Sequence, residues 1–425
     1  MEKILIIGNG FDLAHGLPTK YEHFLDFCRL YLGFTRNGTR TTVITAESMS
    51  QQLDRKANAG ELDNVHSAVT AALADVLTDN RTVTHTAFAK VSEEFLQLVK
   101  DNSWIAYFQK RRRRLGGNWI DFETEIGRVL AAFSSASQDP FLTADSSDEN
   151  APAASELYDH FSQNYPAPDF FYRYYFPSNT RQPVFSSSFE KWWKQNRGTG
   201  FVSEELIAHL NDLIRALEIY LSVIVGNIRK EDAGNQIPEI TDNIFNYVLS
   251  FNYTSTFRKI YKKQYPQICF IHGRAETDRN EKTCNLVLGI HENSLADAPP
   301  EIADAVLPFQ KFYQRIYKGT DDNYLDWLDY IHSMKDRPFE LHIFGHSLDI
   351  TDKEVLEKFI LNDNVHTKIY YYREDENDKT EMGRQIRNLI HIIGQKELIR
   401  KTGGSSRTIE FIPLKPAARA EQPNT

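Results

Sequence analysis

Cysteine is scarce in this chain of 425 residues: Cys28, Cys269 and Cys284 are all it has. No CxxC pair occurs, so a four-cysteine zinc site cannot form within one chain, and a disulfide framework is not expected. Long apolar runs are lacking too. No uninterrupted stretch approaches the ~18–20 residues that span a bilayer. The opening MEKILIIGNG is broken by Gly and Asn, and then by Asp12, too early for a secretion signal. A cytoplasmic location with no membrane contact is therefore expected. Nor is there a basic excess: the formal charge is −9, which argues against broad coverage of nucleic acid and leaves room only for a local basic patch. No internal repeat and no compact acidic metal cluster is visible.

What the chain does have is an ordinary globular composition, 41% hydrophobic and 25% charged residues, and enough length for two domains or one domain with a large insertion. Lys3–Ile7 is a short apolar run of the kind buried in a parallel sheet. Later runs of the same type are Phe245–Phe251, Ile268–His272, Asn285–Ile290, Glu340–Phe344, Lys368–Tyr372 and Thr408–Ile412. Helical periodicity alternates with them at Thr254–Lys263, Ile302–Lys318, Tyr324–Met334, Asp352–Leu361 and Glu381–Arg400. Strands separated by helices imply parallel crossovers, hence an α/β, doubly wound, mostly parallel sheet. From about 41 to 239 helical patterns dominate (Glu61–Thr78, Val83–Asp101, Asn118–Phe133, Ser203–Arg229), with a polar loop at Ser134–Ser155. The expected organisation is residues 1–40 plus 240–414 as one α/β domain, 41–239 as a helical insertion or cap, and 415–425 as a flexible tail.

Four motifs sit where predicted strands end. Gly8-Asn9-Gly10-Phe11-Asp12 joins a strand to a helix, where glycines let backbone approach a pyrophosphate. It lacks the third glycine of GxGxxG, so a tight turn without a ligand explains it equally well. Asn252, in Ser250-Phe251-Asn252-Tyr253-Thr254, can orient a water or an amide, or can simply cap a helix. His272, in Ile271-His272-Gly273, can serve as a general base near neutral pH or be a structural histidine. Gly345-His346-Ser347-Leu348-Asp349 offers small residues, a hydroxyl and a carboxylate for ribose or phosphate. It departs from the GxSxG nucleophile elbow, so a serine hydrolase is not expected. In Trp119-Ile120-Asp121-Phe122-Glu123 the acids read as first-turn helix residues. Lys311, Gln314 and Arg315 share one helical side, either facing a phosphate or solvent. Lys110–Arg114 reads as a solvated helix end, with phosphate contact as the alternative. The aromatic block at Phe170–Phe176, with Trp192 and Trp193, reads as core or interface.

The order of these blocks is more specific than any one of them. "LIIGNGFDLAHGLPTKYEHFL", "WIDFE", "SFNYT", "IHG", "LVLGIHE", "FQKFYQRI" and "IFGHSLDITD" together resemble the AbiH family of bacterial abortive-infection proteins. A more distant similarity links the Gly-rich turn, "FNYT", "HG" and "GHSLD" to the sirtuin-like proteins of phage defence. That likeness implies a Rossmann-like fold that cleaves NAD+. Asn252 and His272 fall on the catalytic positions. Gly8, Asn9, Gly10, Asp12, Gly345, His346, Ser347 and Asp349 fall on the nucleotide-binding blocks. Three departures stand out: no zinc-ribbon cysteines, Thr254 in place of an aspartate, and Asp349 one position early. The first excludes a deacetylase. The expectation is an NAD+ glycohydrolase with no metal, alternatively a nucleotide sensor or a hydrolase of another nucleotide. Self-association and a phage-derived trigger are the expected partners; nucleic acid is not.

Overall fold

In the computed structural model, residues 1–36, 83–115, 120–137, 163, 200–228, 236–262, 264–291, 300–373 and 375–414 are described. The predicted helix at Glu61–Thr78, the aromatic block, Trp119, most of the polar loop and the tail lie outside them. The chain divides into two compact units. One comprises Met1–Leu17, Lys230–Arg274 and Thr320–Thr425, and the other Pro18–Arg229 and Ala275–Gly319. Sequence placed the first break near residue 40, whereas it falls at Leu17. The stretch from Ala275 to Gly319, read as part of the sheet domain, goes with the second unit.

The first unit is built on six strands: β1 (Glu2–Ile7), β2 (Tyr247–Ser250), β3 (Gln267–Phe270), β4 (Phe339–Phe344), β5 (Val365–Tyr371) and β6 (Ile409–Pro413). They lie in the order β3-β2-β1-β4-β5-β6, and all five neighbouring pairs are parallel. The strands are apolar on both sides because both sides are covered. Ile4, Ile6, Leu341, Ile343 and Ile369 pack with Trp327, Leu328, Val355, Phe359 and Leu389 from the crossover helices. On the other side Leu5, Ile7, Val248 and Phe344 pack with Phe11, Ile240, Phe257 and Tyr261.

Several expected elements come out differently. Asn285–Ile290 is not a strand; its sole bridge is Ile290 with Gln310. The helix expected over Ile302–Lys318 is three pieces, Pro300–Val306, a 3-10 turn at Leu307–Phe309, and Lys311–Lys318. Pro308 removes the N–H that a continuous helix would need. The helix expected over Glu381–Arg400 is divided by Gly394, whose φ of 80° no regular helix accepts.

In the second unit the described residues between 18 and 228 are mostly helical, whereas 275–291 run without helix. Phe27 and Tyr31, stacked on each other at 6.4 Å, meet Phe88 and Phe95 edge to face, and Phe88 meets Phe95 likewise, at centroid distances of 5.4 to 5.9 Å. Phe122 stacks on Tyr21 at 4.2 Å and on Phe108 at 4.0 Å. No described helix is long and apolar enough to cross a membrane.

Candidate functional site

Strand register gathers the four motifs of the first unit. Ile7 pairs with Ser250 on one side and Phe344 on the other, and Ser250 pairs with Phe270. The residues just past those positions therefore emerge at one level, at the carboxyl crest of the sheet. They are Gly8 and Asn9, Phe251 and Asn252, Ile271 and His272, Gly345 and His346.

Two glycine turns press against each other there. Gly8 N–H donates to Phe344 O at 3.2 Å, and Gly10 N–H to Gly345 O at 2.8 Å. A Cβ on Gly8 would lie 2.6 Å from His346 Cα, and one on Gly10 2.7 Å from Gly345 Cα. Gly345 has φ +65° and would bring a Cβ within 2.2 Å of the Phe11 nitrogen. The glycines of the two motifs are thus explained by close approach of turn to turn, a demand that exists without any ligand.

Asn252 is buried and donates Nδ2–H to the Gly8 carbonyl at 2.9 Å, joining the ends of β1 and β2. Asp12 is buried too, and accepts the Thr254 hydroxyl at 2.7 Å. Thr254, where the sirtuin-like pattern has an acid, is therefore the partner of an acid from the neighbouring turn.

His272, at 5% exposure, and His346, at 4%, flank a residue that was not among the sequence candidates, Asp352, at 9%. His272 Nε2 lies 3.4 Å from Asp352 Oδ1, and His346 Nε2 lies 3.5 Å from Asp352 Oδ2. Phe251 stands edge-on to both rings, 5.4 Å from His272 and 4.4 Å from His346. Sequence places Asp352 as the first residue of the helix expected over Asp352–Leu361 and assigns it no chemistry. Its side chain makes no capping bond to the helix Lys353–Ile360. The cap-like role belongs to Asp349, whose Oδ1 accepts the Thr351 N–H at 2.9 Å. Ser347 is exposed, and its carbonyl takes the Asn388 amide at 2.7 Å. Among the described residues no group of three or more His, Cys, Asp or Glu is arranged to hold a metal ion.

A family model described as bacteriophage abortive infection AbiH matches residues 4–372. The chain belongs to the AbiH family. No curated protein and no solved structure matches it. AbiH is a family of bacteriophage abortive infection, so defence against phage is the setting of this site.

The remaining AbiH blocks meet in the second unit. Glu123 of "WIDFE" pairs with Lys311 of "FQKFYQRI" at 2.8 Å, both largely buried. Gln314 clamps "LVLGIHE": its Oε1 accepts the Leu288 N–H at 3.1 Å, and its Nε2–H donates to Leu288 O at 3.0 Å. Ile290 and Gly289 run against the Phe309 carbonyl, so closely that a Cβ on Gly289 would meet it at 2.1 Å. Lys318 donates to Leu286 O at 2.7 Å, and burial pulls its amine down to about 8. Lys311 and Gln314 are thus buried against protein partners and do not form a solvated face. The basic run is also turned partly inward. Arg112 is buried, with a two-pronged bond to Asp26 at 2.9 and 3.1 Å, and Arg111 holds Glu125 at 3.1 Å. The solvated helix end expected there is corrected at these two positions.

Proposed function

We propose that this AbiH protein acts in phage defence by hydrolysing the N-glycosidic bond of a nucleotide, with NAD+ as substrate and depletion of the infected cell's NAD+ as the effect. One observation carries the reading: the His272–Asp352 pair at the carboxyl crest of a parallel sheet whose order reverses between β1 and β4. The order β3-β2-β1-β4-β5-β6 is that of doubly wound Rossmann sheets, in which ligands bind outside the strand ends at the reversal. Asn252 and His272 lie at that level, abreast of the Gly8–Gly10 turn.

The chemistry asks little of the protein. Nicotinamide leaves with the electron pair of the C1′–N bond, and the ribose becomes oxocarbenium-like. Water adds at C1′, its proton passes to His272 and then to solvent, and the products are nicotinamide, ADP-ribose and a proton. Asn252, fixed through Nδ2–H to Gly8, offers Oδ1 to the incoming water. Asp12 acts through the turn it ties to Thr254.

The test is to incubate concentrated protein with NAD+ and follow free nicotinamide by chromatography, with Asn252→Ala and His272→Ala in parallel. Removal of a general base typically costs about 10²–10⁴-fold. Nicotinamide from the wild type alone supports the reading. Binding without turnover points instead to a sensor that signals to a partner or to another copy. Absence of both binding and turnover ends the NAD+ assignment.

A further inference from the structure

The two histidines at the crest are not equivalent, and a turn of unusual backbone shows why. After β4 the chain takes left-handed conformations at Gly345, φ 65°, and again at Leu348, φ 57°. For a buried leucine that conformation is strained, because Cβ crowds the following carbonyl oxygen. It is held by burial of the side chain in the main core and by a hydrogen bond from the Leu348 N–H to His346 Nδ1, 2.9 Å long.

A backbone N–H can only donate, so His346 Nδ1 is an acceptor. In the neutral ring the proton then sits on Nε2, which faces Asp352 Oδ2. Nδ1 cannot take a substrate proton without losing the Leu348 bond. His272 presents Nε2 to the other carboxylate oxygen and is followed by Gly273 at φ 79°. Phe251 stands against both imidazoles and limits their rotation. Arg274, two residues beyond His272, lies over the Phe270 ring at 5.4 Å.

We propose that Asp352 is a positioning residue shared by two histidines of unlike role. His346 is a fixed donor that occupies one carboxylate oxygen. His272 is the imidazole that takes the proton, and Asp352 orients it and stabilises its imidazolium form. In a turnover His272 gains one proton from water, Asp352 stays ionised, His346 keeps its Nε2–H, and the proton leaves His272 for solvent. This assignment rests on the hydrolase reading for the reacting bond, whereas the coupling of the three side chains needs no substrate.

The experiment is therefore in two arms. Imidazole ¹⁵N and ¹H resonances of the full chain are followed against pH in the wild type, Asp352→Asn and His346→Gln, with well-dispersed spectra required of each. The wild type should show His346 protonated at Nε2 and not at Nδ1. Asp352→Asn should lower the His272 pKa by about one unit or more, as expected when an opposite charge within ~4–6 Å is removed. His342, bonded to Tyr370 and Glu340, should not move. His346→Gln, which keeps an N–H for Asp352, should leave the His272 titration close to wild type. An unchanged His272 titration in Asp352→Asn, or a proton on His346 Nδ1, overturns the proposal. In the second arm, NAD+ turnover by Asp352→Asn should lose kcat at least tenfold with KM little changed, and His346→Gln should retain more kcat than His346→Ala. Coupling seen by NMR with no turnover in the wild type leaves the shared positioning by Asp352 standing and removes the reading of His272 as the base of NAD+ hydrolysis. Turnover without coupling does the reverse.

Discussion

A methyl group on Gly8 would meet backbone, the Cα of His346 at 2.6 Å and the carbonyl of Gly345 at 2.8 Å, and backbone cannot swing aside. Gly16 is a natural control: its φ is +68°, but nothing lies within 4 Å of its Cβ position. Gly8→Ala is expected to destabilise by about 1–3 kcal/mol, the usual cost of overpacking. Gly16→Ala should cost no more than the left-handed penalty, on the order of 1–2 kcal/mol. Urea unfolding of the two variants measures both. Were Gly8 there only to admit a phosphate, Gly8→Ala would unfold like the wild type and lose only ligand binding. The same crest shows what a sequence can signal residue by residue. The crest positions of Asn252 and His272 were legible because they end strands, and those of Gly8, Gly10 and Gly345 because a glycine at a strand end marks a tight turn. Asp352 was hidden by its place at the start of an expected helix. The roles suggested for Ser347 and Asp349 drew on residue types that turn formation also favours.

Between strands, one network links three neighbours through their side chains. Glu340 of β4 takes Lys368 of β5 at 3.1 Å and Lys3 of β1 at 3.3 Å, and His342 lies two residues on with Nε2 at 3.3 Å from Glu340. Burial lowers His342 to about 4, against the smaller upward pull of Glu340. Burial raises Glu340, but the bonds from Lys368 and His342 outweigh it and bring it to about 2. Both folded-state values lie below the unfolded ones, so the unfolded chain binds more protons and acid favours unfolding. The His342 contribution is intact above pH 6.5 and lost as pH falls towards about 4. Its full size is about 3 kcal/mol at 1.36 kcal/mol per pH unit. Glu340 adds a loss in the same direction below pH 4.5. Urea midpoints at pH 7, 5.5 and 4.5 should fall steeply in the wild type and clearly less in His342→Gln. Equal slopes would place the acid sensitivity elsewhere. Of the elements themselves, short apolar strands were readable because both sides of the sheet are covered. Asn285–Ile290 looked like one of them, but its backbone is satisfied by Gln314 and Phe309, partners that apolar patterning does not reveal.

Across the whole molecule the AbiH blocks condense into two places, one in each unit: the histidine crest, and the Glu123–Lys311–Gln314 knot. The first was foreseeable as a place, since strand ends in parallel sheets collect ligands. The second was not, because its residues are polar and their partners are far away in sequence. An ammonium and a carboxylate buried together are tolerated only as a pair, and removing one partner costs about 3–5 kcal/mol. Glu123→Gln should therefore destabilise by that order, and adding Lys311→Met should recover part of it. Additive losses would mean that the two charges do not depend on each other. In bacteria expressing the protein and challenged with phage, the two places should fail differently. Glu123→Gln should lose protection in step with the amount of soluble protein, because its defect is in folding. His272→Ala should lose protection at wild-type abundance, because its defect is in chemistry. Full protection by His272→Ala at equal abundance would move the defence function away from the crest.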